Sequence, residues 1–137
     1  MNVLVDTSVW SLALRRRDAS SGEAAELGEL IREQRVRMVG PVRQELLSGI
    51  RDGERFRILR ERLRAFPDVP LEPDDYERAA ELFNTCRAKG IQGSNTDFLL
   101  CAVSERRSLA LFATDADFEQ YAKLVPLRLH KAGGRRS

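Results

Sequence analysis

The stretch Asn2-Val3-Leu4-Val5-Asp6-Thr7-Ser8-Val9-Trp10 carries the reading of the whole chain. A short apolar run stops on an acid, two residues of helix-capping type follow, and apolar positions then continue to Leu14. This predicts a buried strand over 2–5 leading straight into a helix over 7–14, with Asp6 at the joint. Val3, Leu4 and Val5 are apolar in succession rather than alternating with polar residues, so both faces of the strand need cover, as in a parallel sheet. Ligands of such a sheet gather outside the carboxyl ends of its strands. Asp6 is therefore a candidate functional residue.

The pattern repeats outward from that joint. Ser20 and Glu23 have capping-box spacing, and Ala24, Leu27 and Ile31 share a helical face, so a second helix is expected to end near Gln34. A strand over 36–39 is broken by Gly40-Pro41, which opens a helix carrying Glu45, Leu46 and Leu47. Phe56, Leu59, Leu63 and Phe66 continue at helical spacing, followed by a short extended piece over 67–71. Pro73 starts a long helix with Tyr76, Ala79, Ala80, Phe83 and Cys86 on one face, ended by Gly90. Ser94 and Asp97 again have capping-box spacing and open a helix to about Arg106. An apolar strand over 109–113, a short helix over 115–121 and a last strand over 126–129 complete the series. Strands alternating with helices predict one α/β domain over 1–130, its parallel sheet flanked by helices on both faces. The basic tail 131–137 is expected to be disordered.

A chain of 137 residues suits a single core that buries roughly two-thirds of the unfolded surface. No apolar run reaches the ~18 residues of a membrane span, and no basic segment precedes the apolar start as in a secretory signal. Cys86 and Cys101 alone make no disulfide framework. The expectation is a soluble cytoplasmic protein with no membrane partner. The net charge is +2, but the basic residues are 20 Arg and only 3 Lys. Arginine's planar fork grips phosphate, so this usage is compatible with nucleic-acid contact; a coding bias toward Arg would look the same.

Acids fall at several expected strand exits. Asp6 ends the first strand, Asp115 and Asp117 follow the strand over 109–113, Glu45 lies on the helix after the second strand, and Asp97 lies in the first turn of its helix. Beside them stand Thr7, Ser8, Ser94, Asn95, Thr96 and Thr114, types that orient carboxylates by hydrogen bonds. Gathered like charges cost several kcal/mol in a poorly solvated site unless a cation neutralises them. Hard oxygen donors suit Mg²⁺ or Mn²⁺, which can activate water and shield a phosphodiester. His130 is the only histidine, so no histidine pair is available as acid and base. Singly, each acid has a plain structural role: Asp6 and Asp97 as helix caps, Glu45 as a surface acid, Asp115 and Asp117 as turn residues. The joint pattern is what points to metal. Elsewhere Cys86 and Cys101 fit as buried small hydrophobes, and Trp10, Phe56, Phe83 and Phe98 as core. Gly90, Gly93 and Ser94 make a faint phosphate-cradle pattern without a following Walker lysine, and His130 suits a surface position at a strand end.

Four stretches carry a resemblance. Val3 to Trp10, Pro41 to Gly49, Asn95 to Ala102 and Leu111 to Phe118 are similar, in order and spacing, to the signature segments of PIN-domain proteins. More narrowly, they resemble the VapC-type toxins of bacterial toxin–antitoxin pairs. The resemblance covers about residues 2–129. It implies a homodimer and an endoribonuclease that cuts structured RNA, such as tRNA or rRNA, with Mg²⁺ or Mn²⁺, and a small VapB-like antitoxin that blocks the site. It carries catalytic roles to Asp6, Glu45, Asp97 and Asp115, metal-ligand roles to Asp6, Asp97 and Asp115, and supporting roles to Thr7, Thr114, Asp117 and Asn95. Asp115 and Asp117 remain alternatives for the last ligand. Arginines near the acids in sequence, Arg15, Arg16, Arg17, Arg43 and Arg51, are candidates for holding RNA phosphates. Two rivals stand beside this: a catalytically silent PIN-fold module that binds RNA or protein, and an aspartate-nucleophile phosphoryl-transfer domain. The second lacks an acid two residues after Asp6.

Overall fold

Val3–Val5 forms the central strand β1 of a three-stranded sheet in order β2-β1-β3, every pairing parallel. All three β1 residues are buried; successive strand residues point to opposite faces, so both faces are covered. In this computed structural model, residues 1–15 and 20–132 are described. The chain runs β1, α1 (Thr7–Leu14), α2 (Gly22–Arg32), β2 (Val36–Arg37), α3 (Gly40–Leu47), α4 (Gly53–Leu63), α5 (Pro73–Ala88), α6 (Asn95–Arg106), β3 (Ala110–Phe112) and α7 (Asp117–Ala122). Val3 pairs with Val36 on one side and Ala110 on the other, and Val5 pairs with Phe112. The Asp6 N–H then donates to the Phe112 carbonyl at 2.8 Å. This bond sets the carboxyl ends of β1 and β3 side by side.

Several expectations shift. The cap of α2 is Ser21, whose hydroxyl accepts from the Ala24 N–H, rather than Ser20. The last strand over 126–129 shrinks to one parallel bridge between Leu111 and Leu129, and the piece over 67–71 to one between Met38 and Asp68. Both edges of the sheet are thus closed by single bridges rather than by strands. The strands over 36–39 and 109–113 are each shorter than expected.

The buried face of α5 is Asp75, Ala79, Leu82 and Cys86, while Tyr76 is 54% exposed. Helical spacing places that face one residue too far round, because an aspartate is not expected in a core. Asp75 is tolerated there because its charge is fully engaged. Arg106 reaches Oδ1 at 2.5 Å, Arg107 reaches Oδ1 at 2.6 Å and Oδ2 at 3.0 Å, and the Glu72 N–H donates to Oδ2 at 2.7 Å. The Arg107 guanidinium above all holds this carboxyl far below the usual carboxylate range. A buried carboxylate with these partners ties α5 to the C-terminal end of α6.

The remaining core is apolar, with Val9, Trp10, Leu27, Leu30, Phe98, Leu100 and Phe118 packed around the sheet. Cys86 and Cys101 are buried free thiols, as expected. Phe83 and Phe56 are only half-buried. No helix among the described residues is long and apolar enough to cross a membrane. Residues 133–137 of the basic tail lie outside the described residues; Lys131 before them ion-pairs with Glu119 at 2.6 Å.

Candidate active site

Asp6 sits where β1 becomes α1, and its two anticipated roles coincide. Its carboxylate caps α1, with Oδ2 accepting from the Ser8 N–H at 3.1 Å and the Ser8 hydroxyl at 2.6 Å. The same Ser8 hydroxyl accepts from the Thr114 N–H at 3.0 Å. One serine therefore locks the exit loop of β3 onto the acid at the exit of β1. Asp6 is only 8% exposed. Burial raises its pKa above the usual carboxylate value, the Ser8 bonds oppose that, and the nearby Glu45 charge adds to it.

Glu45 is exposed on α3 and is fixed by the Thr7 hydroxyl, which donates to Oε1 at 2.6 Å. Helix α3 starts on Gly40-Pro41 at the carboxyl end of β2 and so delivers Glu45 to the same edge.

Asp97 occupies the first turn of α6. Its N–H donates to the Ser94 hydroxyl at 3.0 Å, as the capping spacing predicted. Its carboxylate Oδ2 accepts from the Tyr121 hydroxyl at 2.9 Å. Burial again raises the pKa, hydrogen bonds from Tyr121 and Ser94 oppose it, and the charges of Asp6 and Asp115 add to it. Asp6, Asp97 and Asp115 thus form one electrostatic group drawn from three segments far apart in sequence.

Asp115 is exposed, and its Oδ1 accepts the Asp117 N–H at 2.9 Å. It turns the chain into α7, so its structural role also coexists with its place at the site. Asp117, the first residue of α7, is exposed; burial above all, then Asp97, raises the pKa of Tyr121, and the Asp117 charge adds to it. Among the described residues, no three Asp, Glu, His or Cys side chains close to metal-ligand spacing. The acids share a field without forming a finished cage.

Other sequence candidates move. Thr114 supports the site through its backbone N–H to Ser8, not through a side chain at the acids. Asn95 is exposed and lines a separate cleft between α5 and α6 with Tyr76 and Ala79. Arg43 is engaged within the fold: its guanidinium spans the Asp68 carboxylate and the carbonyls of Leu63 and Phe66, clamping the end of α4. Arg15 Nε donates to the Ser11 carbonyl at 3.3 Å, Arg51 is exposed, and Arg16 and Arg17 lie outside the described residues. His130 is half-buried rather than openly on the surface. Its Nε2 lies 2.6 Å from Oε2 of Glu26, which is 4% exposed.

The residue that sequence reasoning missed is Tyr121. Its ring is fully buried between Phe98 and Phe118, at centroid distances of 4.7 and 5.3 Å. A Cβ at Gly93 would press into that ring, with Phe98 Cε2 also at 2.9 Å. Glycine at 93 thus leaves the space through which the Tyr121 hydroxyl reaches Asp97. Only the glycine beside the Ser94 cap hinted at this in sequence.

Residues 3–124 match the family model of the PIN domain. The chain belongs to the PIN-domain family. Ribonuclease VapC11 of Mycobacterium tuberculosis is 28% identical over 130 residues, spanning 92% of this PIN-domain chain and 96% of that protein. In fold the chain is similar to FitAcB from Neisseria gonorrhoeae, with a TM-score of 0.77 and 21% identity over 96% of this chain and 98% of that one. VapBC2 from Rickettsia felis, bound to a DNA fragment from their promoter, gives a TM-score of 0.77 at 16% identity, covering 95% and 98% of the two chains. These two likenesses establish the PIN-domain architecture around the acids.

Proposed function

We propose that this PIN-domain protein is a divalent-metal-dependent endoribonuclease and the toxin of a toxin–antitoxin pair. The observation that carries the reading is the pair of part-buried carboxylates Asp6 and Asp97, each made harder to ionise by burial and by neighbouring acids. A protein that keeps such acids has a use for the cation that relieves them. The VapC11 similarity supports RNA as substrate, and the complexes among the structural neighbours support an antitoxin partner. Structured RNA such as tRNA or rRNA is the expected target, and a homodimer the expected assembly.

The donor set suits Mg²⁺, with Mn²⁺ as substitute, by its chemistry: carboxylate oxygens are hard ligands, and with fewer than three of them at ligand spacing among the described residues, water would complete the shell. Asp6 and Asp97 would hold it, with Asp115 directly or through water. When bound, the cation lowers the pKa of a water and neutralises charge on the phosphodiester. The rest falls to the chain itself. Ser8 fixes Asp6 and the β3 exit loop, and Tyr121 fixes Asp97. Thr7 occupies Glu45 Oε1 and leaves Oε2 to accept the proton of an attacking water. The same acids would receive a cationic side chain of an antitoxin, most simply an Arg, by the rule that attracts the metal.

Purified protein is incubated with total RNA, with Mn²⁺ and then with EDTA, beside an Asp97→Asn control. Cleavage that needs both the metal and Asp97 is the expected result; RNA left whole by the metal-loaded wild type refutes the reading and favours a silent binding module.

A further inference from the structure

The exit loop of β3 has two sides. One carries Asp115 toward the field of Asp6 and Asp97; the other walls a cavity of about 310 Å³. Leu12 of α1, Phe112 and Leu129 supply apolar walls, while Glu23, Thr114, Asp115, Glu119, His130 and Lys131 supply polar groups. This volume is at the low end for ligand clefts and suits one flat ring system.

The cavity is built rather than incidental. His130 lines it and is fixed three ways: its Nε2 meets the buried Glu26 carboxylate at 2.6 Å, its ring packs edge-on against Phe112 at 5.2 Å, and its N–H donates to the Leu111 carbonyl at 2.8 Å. A buried hydrogen-bonded pair behind a cavity wall holds that wall in one place.

Its charges select the occupant. Glu119 ion-pairs with Lys131, and the Glu26 carboxylate is engaged by His130 Nε2. Glu23, half-buried in the first turn of α2, has no ion-pair partner among the described residues. An ionised carboxylate only accepts hydrogen bonds, so the matching ligand presents donors. Guanine offers two adjacent N–H groups on one edge. Uracil offers one between two carbonyls, and adenine and cytosine each set an acceptor nitrogen beside the amino group.

We propose that this cavity receives a guanine base of the RNA, next to the bond that is cut, and that Glu23 reads it. The shared Asp115 puts the base within a nucleotide of the acids. The proposal rests on the ribonuclease reading for why RNA is delivered there, but the pocket can be tested without cleavage.

Metal-free protein is titrated with guanosine, uridine and N-acetylarginine amide while the methyl resonances of Leu12 and Leu129 are followed by NMR. Guanosine should bind about tenfold or more tightly than uridine, as one bidentate contact allows, and Glu23→Gln should bring the two within about threefold. Sequencing of new 5′ ends should then show guanine enriched at one position beside the cut, with the enrichment lost in Glu23→Gln. Equal binding of the nucleosides, binding of the arginine compound alone, or unchanged enrichment in Glu23→Gln would overturn the proposal. Glu23-dependent guanosine selectivity in a protein that cuts no RNA would uphold the pocket and reject the ribonuclease reading.

Discussion

Tyr121 donates its hydroxyl to Asp97 Oδ2 at 2.9 Å from a ring with no solvent exposure. The contact joins α7 to the first turn of α6 and orients an acid that must otherwise choose among rotamers next to other negative charges. Tyr121→Phe keeps the ring and removes only that bond. Outer hydrogen-bond partners of metal ligands are typically worth roughly 10–100-fold in affinity, so Mn²⁺ affinity, read by calorimetry, should fall about tenfold. Unchanged Mn²⁺ affinity in a folded Tyr121→Phe protein would show the contact to be packing alone.

Gly93 makes that contact possible. Gly93→Ala would push a methyl group into the Tyr121 and Phe98 rings. Overpacking of this kind costs roughly 1–3 kcal/mol, visible as a lower midpoint in urea. The variant should also lose metal affinity, because Tyr121 can yield only by moving its hydroxyl from Asp97.

Asp6→Asn and Asp97→Asn should each abolish cleavage and leave the fold intact. In the metal-free protein both should be stabilising. The pKa of each acid is raised in the folded state, so the native protein holds protons that the unfolded chain has released. The stability linked to these acids is full below the unfolded value near 3.8 and is lost as pH rises through the folded one. Unfolding of metal-free wild type and Asp6→Asn over an acid-to-neutral pH series checks the sign: the variant's advantage should grow with pH. Added Mn²⁺ should reverse the order.

Asp75 behaves in the opposite sense. Its pKa is depressed, chiefly by Arg107, so its contribution is present above 3.8 and lost as pH falls toward the folded value. Asp75→Ala strands two arginines between α5 and α6 and should cost roughly 3 kcal/mol, the low end for breaking a buried pair because both arginines are partly exposed. Equilibrium urea unfolding of this variant gives the number; a change below about 1 kcal/mol, the worth of a surface ion pair, would count the cluster as surface.

Arg43 and Arg51 should separate cleanly. Arg51→Glu should weaken RNA binding and lower the slope of affinity against salt by about one phosphate contact. Arg43→Ala should leave that slope alone and lower stability instead, since its guanidinium is spent on Asp68 and two carbonyls. A salt series of RNA affinities with a melting curve for each protein decides both.

Cleavage ends report the chemistry. Attack by activated water should leave a 5′-phosphate and a 3′-hydroxyl without using the RNA 2′-hydroxyl, whereas a 2′,3′-cyclic phosphate would mean that the RNA attacks itself. Mass spectrometry of a short labelled RNA distinguishes the two.

The sequence alone determined the parallel α/β class, the joint at Asp6, the Ser94 cap of α6 and the segments that carry the acids, because these depend on neighbours a few positions apart. Apolar runs of strand length, helical spacing and capping residues are local signals. Only the tertiary structure decided which side chains meet. The Tyr121–Asp97 bond spans 24 positions, the Thr114–Ser8 bond 106 and the His130–Glu26 pair 104, and no periodicity encodes a partner at such range. The same limit misplaced the buried face of α5. Asp75 reads as polar surface until Arg106 and Arg107, 31 and 32 positions on, fold back to neutralise it. Arg43 looked free for phosphate because its partners 20 to 25 residues later become neighbours only when α4 packs against α3. A polar residue's place in a fold is settled by whether a distant partner makes its burial affordable, and that energy exists only once the chain has closed.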